Sequence, residues 1–123
     1  DEMERDVLGI VEECRARGVP VFVYALPFPV FDRAVWDGYI AQVQAEYGTD
    51  LTYEQFRDVR AAEAFFQREG IPWIPVLDPL LQESDPDSYF IPNDGHLNER
   101  GAEFVCRLIT ESLAEEGLLK DES

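Results

Sequence analysis

Apolar residues recur along this chain with two different periods. Val7, Ile10, Val11 and Cys14 keep the i, i+3, i+4, i+7 spacing of one helix face and predict a helix over residues 3–17. Gly18, just past Arg15 and Arg17, predicts its stop. The stretch "VPVFVYALP", residues 19–27, is almost wholly apolar and rich in β-branched and aromatic residues. It predicts a strand buried on both faces. Phe31, Val35, Trp36, Tyr39, Ile40 and Val43 form a stripe that predicts a helix over 31–47, closed by Gly48. "TYEQ", residues 52–55, has the form of a capping box. It predicts a helix running to Glu69, with Phe56, Val59, Ala62, Phe65 and Phe66 inward and Gly70 as its stop. "IPWIPVLD", residues 71–78, predicts a second strand that Pro72 and Pro75 shorten. Residues 79–96 read as loop with one helical turn. A last helix is predicted over 99–116, with Phe104, Val105, Leu108, Ile109 and Leu113 on one face, and the closing "KDES" reads as a frayed end.

Strands alternating with helices predict an α/β domain, a parallel sheet flanked by helices, spanning residues 1–123. Two strands make a poor sheet, because each leaves a row of backbone groups without a partner. The expectation is therefore that an upstream segment, or a second copy, completes the sheet. The chain also opens almost directly into helical sequence, which suggests that Asp1 is not the natural start.

Charge narrows the functional classes. With 26 acidic and 10 basic residues the formal net charge is -16. Such a field repels nucleic acid and anionic membrane surfaces, so neither is an expected partner. The longest apolar run, Val19 to Phe31, is short and broken by Pro20, Pro27 and Pro29, so no transmembrane segment is expected. Asp1-Glu2-Met3-Glu4 is acidic where a secretory signal is basic. Cys14 and Cys106 sit on predicted apolar helix faces and read as buried free thiols. With a single histidine they match no familiar zinc spacing. Asp78, Asp85 and Asp87 lack the spacing and glycine of a calcium loop and read as a solvated acidic loop, Asp78 being also a candidate at the edge of a site.

The candidate chemistry lies in "IPNDGHLNERGAEF", residues 91–104, which holds the only histidine. A carboxylate that holds one ring nitrogen of an imidazole fixes its tautomer and makes the other nitrogen a useful general base. Asp94 and His96 are two residues apart, and in a turn both side chains reach one side. The segment follows the second predicted strand, and sites in open α/β sheets form at the carboxyl ends of strands. Pro27-Phe28-Pro29, at the end of the first predicted strand, would line the same edge. A plainer reading stands beside this one. Asp94 and Gly95 make a turn, His96 is a solvated loop residue, and Asn98 caps the last helix with Glu99 in its first turn.

"NDGHLNERGAEFVCRLITESL" resembles the last conserved block of the SGNH (GDSL-type) hydrolase superfamily, in which an Asp and a His precede a helix and a Gly follows. The order helix, "RGVPVFVYALP", helical insertion, "REGIPWIPVLDPL", loop, "YFIPNDGHLNERG" is similar to the second half of such a protein. The resemblance implies a three-layer, flavodoxin-like α/β fold of which only the C-terminal part is present. It implies a hydrolase or acyltransferase acting on ester bonds of carbohydrate or lipid O-acyl groups. His96 would be the general base and Asp94 its orienting carboxylate, with no metal or organic cofactor. Gly101 fits the close helix packing of that family. Many members place the aspartate three residues before the histidine, where this chain has Asn93. The Asp94-Gly95-His96 spacing is similar to alginate O-acetyltransferase-like proteins. The family's G-D-S serine block has no counterpart here, and Ser84, Ser88, Ser112 and Ser123 do not sit at a predicted strand-to-helix turn. The expectation is that a missing N-terminal segment supplies the serine and the oxyanion-hole donors, and that this chain alone is inactive. The rival expectation is a non-catalytic α/β interaction module that dimerises or binds a partner. Tyr89-Phe90 read as an acyl-pocket cover or as a plug anchoring the loop. Trp36, Tyr39 and Tyr47 read as a substrate lid or as plain core.

Overall fold

A computed structural model describes residues 1–119; the predicted frayed tail at 120–123 lies outside the described residues. The helices are α1 (Glu2–Ala16), α2 (Arg33–Tyr47), α3 (Arg57–Arg68), α4 (Leu77–Leu81) and α5 (Glu99–Glu115), with a 3₁₀ turn at Pro86–Tyr89. Three of the long helices start on a side-chain cap, and the cap residue decides the boundary. Asp1 accepts from the Glu4 amide, Asp32 from Val35 and Asn98 from Gly101. Gly48 ends α2 in the left-handed conformation (φ 61°), where a side chain would be strained.

The predicted parallel sheet does not form. Among the described residues there is no strand, and the two segments read as strands meet at one parallel bridge, Val23 with Trp73. The three-layer α/β assignment is therefore wrong for this chain, which is helical with extended connections. Proline chemistry and a helix start explain why the ladder stops. The Val23 amide donates to the Pro72 carbonyl (3.0 Å), and the Ile74 amide donates to the Val23 carbonyl (2.8 Å). The next parallel bond toward the N-terminus would need an N–H at residue 72, and proline has none. Toward the C-terminus the next bond would run from the Ala25 amide to the Ile74 carbonyl and does not form, and the one after it would need the N–H of Val76, which has turned to φ -117°, ψ -41° to begin α4. Leu77 and Asp78, read as strand, are the first turn of that helix.

The predicted capping box also fails. Helix α3 begins at Arg57, preceded by Phe56 at φ 64° with no side-chain cap. Gln55 is drawn elsewhere: its side-chain amide donates to the carbonyls of Val30 (2.7 Å) and Phe31 (3.1 Å). Those bonds tie the entrance of α3 to the chain ahead of α2. Phe56 accepts an unfavourable left-handed backbone there and stacks on Phe31, with ring centroids 5.5 Å apart.

Two apolar clusters hold the chain together. One gathers Val11, Ala62, Phe65, Phe66 and Ile71, with Val21, Val23, Ala25 and Trp73 against it. The other gathers Val76, Leu80, Tyr89, Phe90, Phe104 and Val105, with Phe31, Leu97, Leu108 and Ile109 against it. The stripe predicted for α2 is only partly buried: Trp36 is buried, Phe31, Ile40 and Val43 are half-buried, and Val35 and Tyr39 are exposed. The cysteines are free, but Cys14 is half-buried and Cys106 exposed, not buried as read from the sequence. The buried stripe of α5 centres on Phe104 and Val105, and position 106 has already turned about 100° past it. No described helix is long and apolar enough to cross a membrane.

Glu63 is the buried charged residue of α3, 6% exposed. Burial pushes its carboxyl up from the usual carboxylate range, and Arg60, 3.7 Å away, offsets part of this. A raised folded-state pKa gives a stabilising contribution that is fully present below the unfolded value and lost as pH rises through the folded one. Glu63→Gln is therefore expected to raise stability at pH 7 by about 1 kcal/mol, with the gain gone near pH 4. Urea unfolding at the two pH values checks this; Arg60 keeps its 2.8 Å bond to Asp78 in the variant.

Candidate functional site

The histidine segment is a closed loop on the N-terminus of α5. The Ile91 amide donates to the His96 carbonyl (3.0 Å), and the Asn98 amide donates to the Tyr89 carbonyl (3.0 Å). Between them the Asp94 amide donates to the Ile91 carbonyl (3.1 Å), which folds residues 91–94 into a turn. Asn93 takes φ 59° there, a conformation that asparagine tolerates better than most residues. Asn98 works as a bracket. Its Oδ1 accepts from the Gly101 amide (2.8 Å), while its Nδ2 donates to the carbonyls of Ser88 (2.8 Å) and Phe90 (3.3 Å). The loop is thus fastened at both ends to the first turn of the helix.

Gly101 sets how closely the loop can approach. A Cβ at this position would lie 2.0 Å from the Tyr89 carbonyl oxygen and 2.9 Å from Leu97 Cδ2. That carbonyl is the acceptor that closes the loop. The resemblance ties Gly101 to close helix packing; here the element that approaches it is the loop itself.

Asp94 and His96 are brought together. Asp94 Oδ1 accepts the His96 backbone amide (2.9 Å) and is in short contact with His96 Nδ1. The hydrogen bond from the His96 ring, then that from its backbone amide, hold the Asp94 carboxyl below the usual carboxylate range. An ionised carboxylate only accepts, so Nδ1 is the ring atom that carries a hydrogen toward it, and in the neutral imidazole the lone pair is then on Nε2. Nε2 has no partner among the described residues. The imidazole is 85% exposed.

Two grooves meet at Gly95. The larger, of about 920 Å³, runs past Phe28, Pro29, Val35, Tyr39, Ile91 and Asp94. The smaller, of about 290 Å³, is lined by Pro27, Phe28, Trp36, Tyr53 and Phe56. The Pro27-Phe28-Pro29 segment therefore does reach the histidine loop, as its place after the first apolar run predicts. His96 itself lines neither groove, although its neighbours Asp94 and Gly95 line the larger one. Tyr89 and Phe90 are buried, Tyr89 against Phe104 (5.0 Å) and Phe90 against Phe31 (5.8 Å), so they anchor the loop. Phe90 also shows an edge to the larger groove.

No serine among the described residues is hydrogen-bonded to His96. Ser88 lines the larger groove, but its hydroxyl donates to the Asp85 carbonyl (2.7 Å) and accepts from Arg100 (3.1 Å). Asp78 is engaged by Arg60 (2.8 Å) and does not belong to the site. Among the described residues no three His, Cys, Asp or Glu side chains converge as metal ligands would. Sequence reasoning took Asn98 as a helix cap and missed its second task on the carbonyls of Ser88 and Phe90. It missed Gln55 as the clasp between residues 30–31 and α3. The sequence names the donors in both cases, but not the carbonyls that receive them. Comparisons with protein-family models, with curated proteins and with solved structures find no match for this chain.

Proposed function

We propose that Asp94 and His96 form the general-base half of a serine hydrolase or acyltransferase acting on ester bonds. The observation that carries the reading is the Asp94–His96 Nδ1 contact, which leaves Nε2 without a partner among the described residues, in a loop whose Asp94 and Gly95 line the larger groove. His96 Nε2 takes the proton from a serine hydroxyl as that oxygen attacks the ester carbonyl, and later returns it to the leaving alcohol. Asp94 holds the ring in its tautomer and stabilises the imidazolium. The serine comes from a further segment or a partner chain, since Ser88 is held by Asp85 and Arg100. The larger groove suits the acyl or alcohol portion of the ester. Its acidic side chains, Asp32, Asp85, Asp87 and Asp94, favour neutral over anionic substrates. The protein purified with whatever co-purifies is treated with a fluorophosphonate, and intact masses are read. One adduct on a serine, lost in His96→Ala, is the expected result. Absence of any adduct overturns the reading.

A second reading has its own observation. Asp94 Oδ1 also accepts the His96 backbone amide, which is the ordinary hydrogen bond of an Asx turn, and the ring lines no groove. On this reading the pair shapes the loop of a non-catalytic interaction module. Asp94→Asn separates the two. The amide oxygen still accepts the backbone N–H, so the turn stays, but the negative charge facing the imidazole is lost. The general-base reading expects ester turnover to fall by about 10²-fold with thermal stability little changed. Unchanged turnover favours the turn.

A further inference from the structure

Four large apolar side chains are left out of the core and share one place. Phe28, Val35, Tyr39 and Ile91 belong to neither apolar cluster, and they are 60%, 60%, 50% and 43% exposed. They come from three segments: the chain ahead of α2, α2 itself and the histidine loop. All four line the larger groove, of about 920 Å³. Val35 and Tyr39 are one turn apart and lie on the same face of α2, while Trp36 turns inward and is buried. Single exposed apolar residues need no explanation, but a contiguous apolar lining gathered from separate segments marks a binding surface. The volume is that of a site for a small organic molecule.

Charge decides which kind of molecule. No lysine or arginine lines the groove. Arg33, next to the lining residue Asp32, is paired with Asp37 (3.0 Å). Arg100, two residues after Asn98, donates to Ser88 Oγ (3.1 Å) and lies over the Tyr89 ring (4.6 Å). Four aspartates line the groove, and two of them are engaged: Asp32 accepts the Val35 amide and Asp94 the His96 amide. Asp85 and Asp87 accept only at their backbone carbonyls, from Ser88 and Phe90. Their carboxylates have no basic partner among the described residues. An anion is repelled from such a lining, and a neutral molecule leaves both carboxylates unpaired. A cation on an apolar body meets both features, because carboxylates pair with it and the faces of aromatic rings such as Phe28 and Tyr39 attract it.

We propose that the larger groove binds an organic cation, a quaternary or protonated ammonium on an apolar body. The carboxylates of Asp85 and Asp87 take the charge, and Phe28, Val35, Tyr39 and Ile91 take the apolar part. That the cation is carried by the ester itself rests on the general-base reading above; the binding does not.

Nuclear magnetic resonance of the 123-residue chain tests this without turnover. Amide shifts are followed while choline, or its uncharged isostere 3,3-dimethylbutan-1-ol, is added. The two probes match in shape and differ in charge. Both are expected to shift the amides of Phe28, Val35, Tyr39 and Ile91, with choline binding about tenfold tighter. Asp85→Asn with Asp87→Asn keeps the backbone bonds and removes the charge. It is expected to bring choline to the affinity of the isostere, whose own affinity stays as it was. The net charge of -16 attracts any cation, so the control removes equal charge elsewhere. Glu111→Gln with Glu115→Gln, in the last turns of α5, is expected to leave both affinities unchanged. Equal affinities for the two probes in the unaltered chain, choline shifts that miss the groove, or an equal loss in the control pair overturns the proposal. None of these outcomes touches the general-base reading, and absence of a fluorophosphonate adduct does not touch the cation site.

Discussion

His96→Ala is expected to lower ester turnover by about 10⁴-fold while leaving the fold as it is, the upper end of what general acid–base catalysis contributes. Two features separate this outcome from a structural loss. The imidazole is 85% exposed and packs into neither groove, so its removal opens no cavity. The loop is closed by backbone bonds, Ile91 to His96 and Asn98 to Tyr89, which alanine retains. Turnover of a neutral aryl ester, measured with the serine-bearing component present, reads the loss. Thermal unfolding of the same samples reads the fold. An exposed site vacated by a ring is also open to added imidazole, so partial chemical rescue is expected. Full turnover in His96→Ala rejects the general-base role.

Gly101→Ala is expected to be the most destabilising single substitution in the loop, by about 3 kcal/mol. The added Cβ meets a backbone carbonyl at 2.0 Å rather than the end of a flexible side chain. Either Tyr89 or the first turn of α5 has to move. Moving Tyr89 breaks its bond to the Asn98 amide and disturbs its contact with Phe104. Moving the turn breaks the bond from the Gly101 amide to the Asn98 side chain. Gly9→Ala in α1 is the matched control. Nothing lies within 4 Å of its added Cβ, so alanine there is expected to stabilise by about 1 kcal/mol, the ordinary helix propensity difference. Urea midpoints of the two variants carry opposite signs if packing, and not propensity, governs Gly101.

Helix positions were readable from the chain wherever an apolar stripe ended on a cap. Helices predicted over 3–17, 31–47 and 99–116 are observed at Glu2–Ala16, Arg33–Tyr47 and Glu99–Glu115. Helix α3 was readable as an element but not at its start, because Gln55 is taken by carbonyls 24 and 25 residues away. The sheet was misread for a related reason. β-branched, apolar composition marks a segment fit to pair, but a ladder needs an N–H at each rung, and Pro72 and the helical turn at Val76 remove the rungs beside Val23.

The sequence by itself determined three of the long helices, the exclusion of charge from Val19 to Phe31, and a loop in which a carboxylate stands two residues from the only histidine. These are local properties: a stripe, a cap and a short turn are set by neighbours a few residues apart. Only the tertiary structure decided that Asp94 meets the ring of His96, that Phe28 and Pro29 wall a groove beside it, and that Asn98 and Gly101 seat the loop on α5. It also decided that α2 buries its stripe only in part, with Val35 and Tyr39 left in solvent. Such outcomes depend on which distant carbonyls and apolar surfaces arrive at the same place, and neither residue type nor spacing encodes that arrival.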